Sequence, residues 1–184
     1  MNKVLTNINH LTHYLVRPYL NKEKVAIDAT VGNGNDTLFL CDNCKFVYGF
    51  DIQQTALNNT EKLLQENKCE NYLLFLKSHA EIEKVVEGNV DVVMFNLGYL
   101  PTGDKSITTT ADSVLIALKQ VLNKLNEDGL VCLTLYGHHE GKKEKQQILQ
   151  FVQPLNHQKY HVLHIKMENQ GDNAPEVIII SKKG

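Results

Sequence analysis

Residues 28–37 read DATVGNGNDT, a glycine pair between an apolar run and a stretch that predicts a helix. The apolar run Lys24–Ala29 predicts a buried strand, and the helix is predicted from Asp36 to Asp42. Gly32 and Gly34 allow a tight turn and a close approach of the backbone to a ligand. A glycine pair placed where a strand passes into a helix is typical of parallel sheets that bind a nucleoside-containing cofactor.

Apolar runs and helical stripes alternate along the rest of the chain. Six more strands are predicted at Lys45–Phe50, Tyr72–Leu76, Val90–Phe95, Leu130–Tyr136, Tyr160–Lys166 and Glu176–Ser181. A turn at Asp128-Gly129 leads into the strand Leu130–Tyr136. Further helices are predicted at about residues 4–20 and at Thr55–Lys68, Ile82–Val86, Ala111–Leu125 and Lys142–Val152. Strands that alternate with helices form a mostly parallel sheet covered on both faces. We therefore expect a Rossmann-like α/β fold of seven strands, with the last strand antiparallel at the edge.

Length and composition narrow the class of protein. The chain has 184 residues, 42% of them hydrophobic, and a net charge of −2. These values predict a single domain over residues 1–184, with the N-terminal helix packed on the core, and they exclude a disordered or a strongly basic chain. No apolar run reaches the ~20 residues of a membrane helix, and no signal peptide is visible, so we expect a cytoplasmic protein. The four cysteines lack the spacing of a zinc site, so no metal is predicted.

An acidic residue, Asp51, directly follows the second predicted strand. Asp51 lies 17 residues after Gly34 (51 − 34), where a carboxylate can accept hydrogen bonds from ribose hydroxyls. A dinucleotide fold needs a small residue where Thr37 stands, and Asp28 would place negative charge near a pyrophosphate. Both features favour S-adenosylmethionine, which carries a cationic sulfur and an ammonium group, over NAD. One alternative function is an NAD-dependent oxidoreductase. The other alternative is that the glycine pair only forms a turn and that the acid is solvated, with no ligand role for either.

Residues 96–101 read NLGYLP and follow the fourth predicted strand. Enzymes that methylate amines keep an Asn/Asp-Pro-Pro-Tyr/Phe segment at this position. The Asn96 side chain and the Leu97 carbonyl could accept the amine hydrogens and direct the nitrogen lone pair, while Tyr99 could stack on a base. Gly98 replaces the first proline, which weakens an assignment to a base amine. The alternative is a loop with a packed tyrosine.

Over essentially its whole length the chain resembles the tRNA 5-aminomethyl-2-thiouridine methyltransferases, small bacterial class I methyltransferases formerly described as rRNA methylases. The segments that carry the resemblance are residues 28–37, 51–53, 78–79, 96–105, 136–141 and 169–175. The resemblance implies methyl transfer from S-adenosylmethionine to the aminomethyl nitrogen of a wobble uridine, giving 5-methylaminomethyl-2-thiouridine. It also implies that the partner is a tRNA anticodon stem-loop and that the protein is a homodimer.

The resemblance and the sequence pattern together predict three sets of functional residues: catalytic, cofactor-binding and substrate-binding. The catalytic set is Asn96, Leu97 and Tyr99. The cofactor set is Asp28, Gly32, Asn33, Gly34, Asn35, Asp36, Thr37, Asp51, Ile52, Gln53, Ser78, His79 and Asn96, with His79 expected at the adenine edge. The substrate set is Tyr99, Pro101, Lys105, Tyr136, His138 and Lys142.

Several alternatives stay open at this point. An rRNA base-amine methyltransferase and a non-catalytic RNA-binding module that keeps the fold would both show these segments. The basic cluster Lys142–Lys145 could bind RNA phosphates or simply form a solvated helix face. His79 could be a surface histidine at the start of a helix.

Overall fold

A computed structural model describes residues 4–98, 110–137, 139–171 and 173–184. The predictions for Tyr99, Pro101, Lys105 and His138 lie outside the described residues, and so does the side chain of Lys142. No helix among the described residues is long and apolar enough to cross a membrane.

Within residues 4–98, 110–137, 139–171 and 173–184, seven strands form one sheet in the order β3-β2-β1-β4-β5-β7-β6. The strands are β1 Val25–Asp28, β2 Phe46–Asp51, β3 Tyr72–Leu76, β4 Val90–Leu97, β5 Leu125–Leu135, β6 Tyr160–Ile165 and β7 Glu176–Lys182. The first five strands pair in parallel, and β7 runs antiparallel to both of its neighbours. The predicted fold class and the antiparallel last strand are confirmed.

In the described part of the chain, six α-helices cover the two faces of the sheet. They are α1 Ile8–Val16, α2 Asn35–Asn43, α3 Gln54–Glu66, α4 Ile82–Val85, α5 Ala111–Lys124 and α6 His139–Val152. Alternate residues of β4 point to opposite faces, as the pleat requires. Val93 and Phe95 pack in the core under α4, α5 and α6, while Val92 and Met94 pack in the core under α1, α2 and α3. Because β4 is apolar on both faces, both cores meet on this central strand.

Three details of the sequence prediction are wrong. The N-terminal helix is not continuous over residues 4–20, because the Asn7 side chain accepts the Asn9 N–H at 2.8 Å and caps a separate helix α1. Strand β5 begins at Leu125, and the residues around Asp128-Gly129 form an irregularity inside it, with φ of +59° at Asp128. The last strand, β7, is not at the edge: it lies between β5 and β6, which leaves β6 as the edge strand.

Candidate functional site

The predicted polar residues meet at the carboxyl edge of the parallel strands. Asp28 ends β1, Asp51 ends β2, Asn96 is the penultimate residue of β4, and Tyr136 directly follows β5. The strand order reverses between β1 and β4, so these two neighbouring strands continue to opposite sides of the sheet. Open α/β sheets bind ligands in the crevice at such a point, since the loops that follow the two strands diverge there.

The glycine turn after β1 is held by Asp51, the acid that ends β2. The Asp51 carboxylate accepts the Gly32 N–H at 2.9 Å and the Gln53 N–H at 2.8 Å. Gly32 and Gly34 have φ of +54° and +81°, a region that residues with a Cβ rarely adopt. A Cβ at Gly34 would lie 2.7 Å from Thr60 Oγ1. The sequence therefore needs glycine here, because α3 and the turn approach each other too closely for a side chain.

Asp28 is a buried carboxyl group under this turn. It is 1% exposed and accepts hydrogen bonds from Thr37 Oγ1 at 2.6 Å and from the Thr30 N–H at 3.1 Å. Burial, followed by repulsion from Asp36, raises the pKa of Asp28 to about 7 against the opposing effect of its hydrogen bonds, and Asp51 adds a smaller repulsion. Three carboxyl groups therefore concentrate negative potential around a glycine turn. Such an arrangement favours a cationic ligand and disfavours a pyrophosphate.

Asn96 is fixed by its backbone and its side chain. Its N–H donates to Thr30 Oγ1 at 2.6 Å, and its Nδ2 donates to Asp36 Oδ2 at 3.3 Å. The Tyr136 hydroxyl forms a side-chain hydrogen bond with Asn96, and burial, with Asp36 nearby, raises the pKa of this tyrosine. A Cβ at Gly98 would lie 3.4 Å from the Tyr136 ring, an ordinary van der Waals distance, so Gly98 lies beside this ring without a steric requirement for glycine. Asn96 and Tyr136, predicted separately, thus form one polar group.

A histidine–carboxylate contact from the N-terminal helix extends this polar group. His13 of α1 contacts Asp36 of α2, with 2.6 Å between Nε2 and Oδ1. The imidazole lies flat on Phe39, with the ring centroids 3.9 Å apart. His13, Asp36 and Asn96 therefore form a continuous chain of side chains at the strand edge.

The other predicted cofactor residues lie in different environments. Asn33, Asn35 and Ile52 are exposed around the turn, and the Ser78 hydroxyl accepts the Ala80 N–H at 3.2 Å. Leu97, which belongs to the predicted catalytic set, is 1% exposed, and its role also stays a prediction. These positions leave the predicted roles of the asparagines, Ile52 and Ser78 as predictions.

His79 is buried instead of lying at the surface. It is 7% exposed, and its Nδ1 and Nε2 contact the Ala29 carbonyl at 3.2 Å and Ser113 Oγ at 3.1 Å. Burial lowers the pKa of His79 to about 4, although the bond to Ala29 opposes the change, so the ring is neutral near pH 7. Both ring nitrogens are already used within the protein. His79 therefore links β1 to α5, and the surface-histidine alternative is wrong.

The basic residues of α6 are not equivalent. Lys145 Nζ lies 2.6 Å from Glu176 Oε1 at the start of β7, and His164 Nε2 lies 2.6 Å from Glu176 Oε2. Lys145 is thus engaged within the protein, whereas the sequence left open whether Lys142–Lys145 binds RNA phosphates or forms a solvated helix face. The side chains of Lys142 and Lys143 lie outside the described residues.

Sequence reasoning missed three residues that build the site. His13 contacts Asp36, and Thr30 accepts the Asn96 N–H. The Thr60 hydroxyl donates to the Gly32 carbonyl at 3.2 Å. Thr30 lies within the glycine-turn segment 28–37, so the sequence could have indicated that its hydroxyl accepts a backbone N–H from a neighbouring strand. His13 carries no local signal, because its partner is 23 residues away in the chain. Among the described residues, no group of three or more His, Cys, Asp or Glu side chains could hold a metal ion.

Comparison with known proteins gives a family and several close structures. The family model described as "Putative rRNA methylase" matches residues 47–181. A crystal structure of a putative methyltransferase from Streptococcus mutans in complex with SAH is 36% identical, with a TM-score of 0.90, covering 96% of this chain and 98% of that one. A putative rRNA-methylase from Clostridium thermocellum is 34% identical, with a TM-score of 0.91, covering 96% and 97% of the two chains.

One curated relative has a more specific name. The chloroplastic tRNA (mnm(5)s(2)U34)-methyltransferase of Arabidopsis thaliana is 36% identical over an alignment of 156 residues that covers 76% of this chain. The chain spans 56% of the length of that relative.

Proposed function

This chain belongs to the family described as "Putative rRNA methylase", and from that membership we propose that it is an S-adenosylmethionine-dependent N-methyltransferase acting on tRNA. The proposed reaction converts 5-aminomethyl-2-thiouridine at the wobble position to 5-methylaminomethyl-2-thiouridine. The observation that carries the proposal is the group of Asp28, Asp36 and Asp51 around the glycine turn, next to Asn96. The name of the Arabidopsis relative supports the choice of substrate.

The residues of the turn fit S-adenosylmethionine better than a dinucleotide. When bound, this cofactor supplies an electrophilic methyl group on a positively charged sulfur. The carboxyl groups of Asp28 and Asp36 provide negative potential for its cationic groups. Asp51 keeps unused lone pairs on oxygens that already accept two backbone N–H groups, and these can accept ribose hydroxyls.

Asn96 is proposed to hold the substrate amine. Its Nδ2 is turned toward Asp36, so its carbonyl oxygen is the part that can accept an amine hydrogen. Fixing the amine in line with the transferred methyl group makes the reaction effectively unimolecular. No covalent intermediate with the protein is needed. Thr30 supports this role, since it anchors the Asn96 backbone to the glycine turn.

A methyl-transfer assay on three RNAs tests the proposal. We expect transfer from S-adenosylmethionine to an anticodon stem-loop that carries 5-aminomethyl-2-thiouridine, and none to the same loop with unmodified uridine. Mass spectrometry of the nucleosides identifies the methylated nitrogen. A ribosomal RNA fragment is the third substrate, because the family description favours an rRNA base as the second candidate. Preference for that fragment would replace the proposed substrate.

Replacement of Asn96 separates catalysis from cofactor binding. Asn96→Ala should lower turnover about 100-fold, because an orienting group at the reacting atoms is lost. Cofactor affinity, measured by calorimetry, should change much less. Asn123→Ala, at an exposed position of α5, is the matched control and should leave both quantities unchanged. If cofactor binding collapses while turnover of the bound enzyme survives, Asn96 belongs to the cofactor site.

Two further expectations stay proposals. The homodimer implied by the family resemblance can be tested by light scattering at assay concentration. The cytoplasmic location can be tested by fractionation of cells that produce the protein.

A further inference from the structure

The Asp36 carboxylate has two different neighbours, one on each oxygen. Oδ1 lies 2.6 Å from His13 Nε2, and Oδ2 accepts Asn96 Nδ2 at 3.3 Å. Asp36 is buried, with 7% of its surface exposed, so both contacts are made away from bulk water. The imidazole of His13 is therefore two hydrogen bonds from the amide that is proposed to hold the substrate amine.

The orientation of the His13 ring is determined by its surroundings. Stacking on Phe39 fixes the plane of the ring, with an angle of 5° between the two rings, and Asp36 fixes its rotation through Nε2. A carboxylate at Nε2 selects the neutral tautomer whose proton is on Nε2. The lone pair of that tautomer is on Nδ1. The His13 side chain is 23% exposed, so a proton taken up there can pass on to water.

The charged and titratable groups around this pair come from several elements. Arg17, which follows α1, lies over the Phe39 ring at 5.4 Å from its centroid. Asp28 of β1 and Tyr136 after β5 both interact electrostatically with Asp36. His10 lies one turn earlier on α1 and is exposed. Among the described groups, only Asp36 makes direct contact with His13 as a counter-ion.

An alkylammonium substrate creates a need for such a group. The nitrogen can attack the methyl carbon only after it has lost a proton, and an alkylamine is mostly protonated near neutral pH. Asn96 cannot accept that proton, because an amide has no basic nitrogen. An imidazole whose other nitrogen donates to a carboxylate can accept it, because the carboxylate stabilises the imidazolium that forms.

Resting on the proposed function, we propose that His13 is the proton acceptor of the methyl transfer and that Asp36 is its positioning residue. The substrate ammonium gives one proton to His13 Nδ1 through water, because Nε2 faces Asp36 and Nδ1 lies on the other side of the ring. The neutral nitrogen then bonds to the methyl carbon while the methyl–sulfur bond breaks and its electron pair stays on sulfur. The product is a secondary ammonium, and the imidazolium releases its proton to water.

The dependence of the rate on pH tests this assignment. Single-turnover methyl transfer to the stem-loop carrying 5-aminomethyl-2-thiouridine is measured from pH 6 to pH 10 with saturating cofactor. His13→Gln should be about 100-fold slower than the wild type at pH 7. The difference should shrink as the pH rises, because the free amine then loses its proton to water. His10→Gln is the matched control on the same helix and should follow the wild-type profile.

A structural role for His13 would give a different result. It would lower the rate by the same factor at every pH, or weaken cofactor binding measured by calorimetry, and either result overturns the assignment. A His13→Gln variant as active as the wild type at pH 7 also overturns it. A wild type that transfers no methyl group to this RNA overturns the proposed function instead, so the two failures are distinguishable.

Nitrogen-15 NMR of the imidazole gives a readout that needs neither cofactor nor RNA. Neutral His13 in the wild type should carry its proton on Nε2, and Asp36→Asn should weaken that preference. A proton on Nδ1 in the neutral wild-type ring would overturn the proposal, because no lone pair would remain at that nitrogen. This measurement also decides the matter if His13→Gln fails to fold.

Discussion

At the scale of single residues, the raised pKa of the Asp28 carboxyl group makes the stability of the fold depend on pH. Its pKa is raised from 3.8 to about 7 by burial and by Asp36. The folded state therefore keeps a proton that the unfolded state loses over that range. The contribution of Asp28 to the free energy of unfolding is greatest below about pH 4 and falls as the pH rises toward 7.

The first prediction concerns proton release at Asp28. A bound cation favours the carboxylate, so binding of S-adenosylmethionine at pH 6 should release a proton, and the affinity should rise between pH 6 and pH 8. Calorimetry in buffers of different ionisation enthalpy counts the released protons. Asp28→Asn should release fewer protons and show a flatter pH dependence. Equal proton release in the variant would assign the linkage to another group.

At the scale of secondary-structure elements, Glu176 joins three of them. It accepts hydrogen bonds from Lys145 of α6 and His164 of β6 while lying in β7. Burial acts to raise the pKa of Glu176, but the hydrogen bonds and charges of Lys145 and His164 outweigh it and lower the pKa below its usual value of 4.5. The cluster holds the end of the sheet where β7 runs against the parallel strands.

The second prediction compares two glutamates. Glu176→Gln should lower the free energy of unfolding by about 1–3 kcal/mol, because charge-assisted hydrogen bonds to two partners are lost at a largely buried position. Urea unfolding at pH 7 measures the change. Glu168→Gln is the control: its pair with Lys166 is exposed, so the free energy of unfolding should change far less than in Glu176→Gln. Since a lowered acid pKa stabilises only the ionised form, the effect of Glu176→Gln should disappear as the pH falls below 4.5.

At the scale of the whole molecule, a net charge of −2 argues against broad electrostatic capture of RNA. Recognition by a few phosphate contacts and one loop base is consistent with this charge. The pairing of Lys145 with Glu176 removes one cation from the candidate phosphate-binding residues.

The third prediction concerns the number of phosphate contacts, which the salt dependence of RNA affinity measures. Affinity for the stem-loop should fall with added salt, with a slope of about −0.7 per phosphate contact in a plot of log K against log salt. Lys142→Gln should reduce the slope by about one contact. Lys145→Gln should leave it nearly unchanged, since that lysine is already paired within the protein. Equal effects of the two substitutions would show that Lys145 leaves Glu176 to bind RNA.

The local pattern was sufficient for the order of the elements and for the glycine turn. Strand and helix periodicity are local properties, and Gly32, Gly34 and Asp51 stand at fixed positions relative to their strands. The β7 position was predicted wrongly, because pairing between strands depends on long-range contacts that two adjacent segments do not reveal. The break before α1 was missed because a single capping residue, Asn7, ends the periodic stripe.

For the candidate site, the sequence alone determined which residues lie at the carboxyl edge of the strands, since each follows a recognisable strand. Only the tertiary structure decided how they contact one another. Folding brings His13 to Asp36 across 23 residues and Asn96 to the same carboxylate across 60. It also buries His79 and pairs Lys145 with Glu176. The physical reason is that side-chain partners, burial and the resulting pKa values depend on what packs nearby, and distant segments supply most of those neighbours.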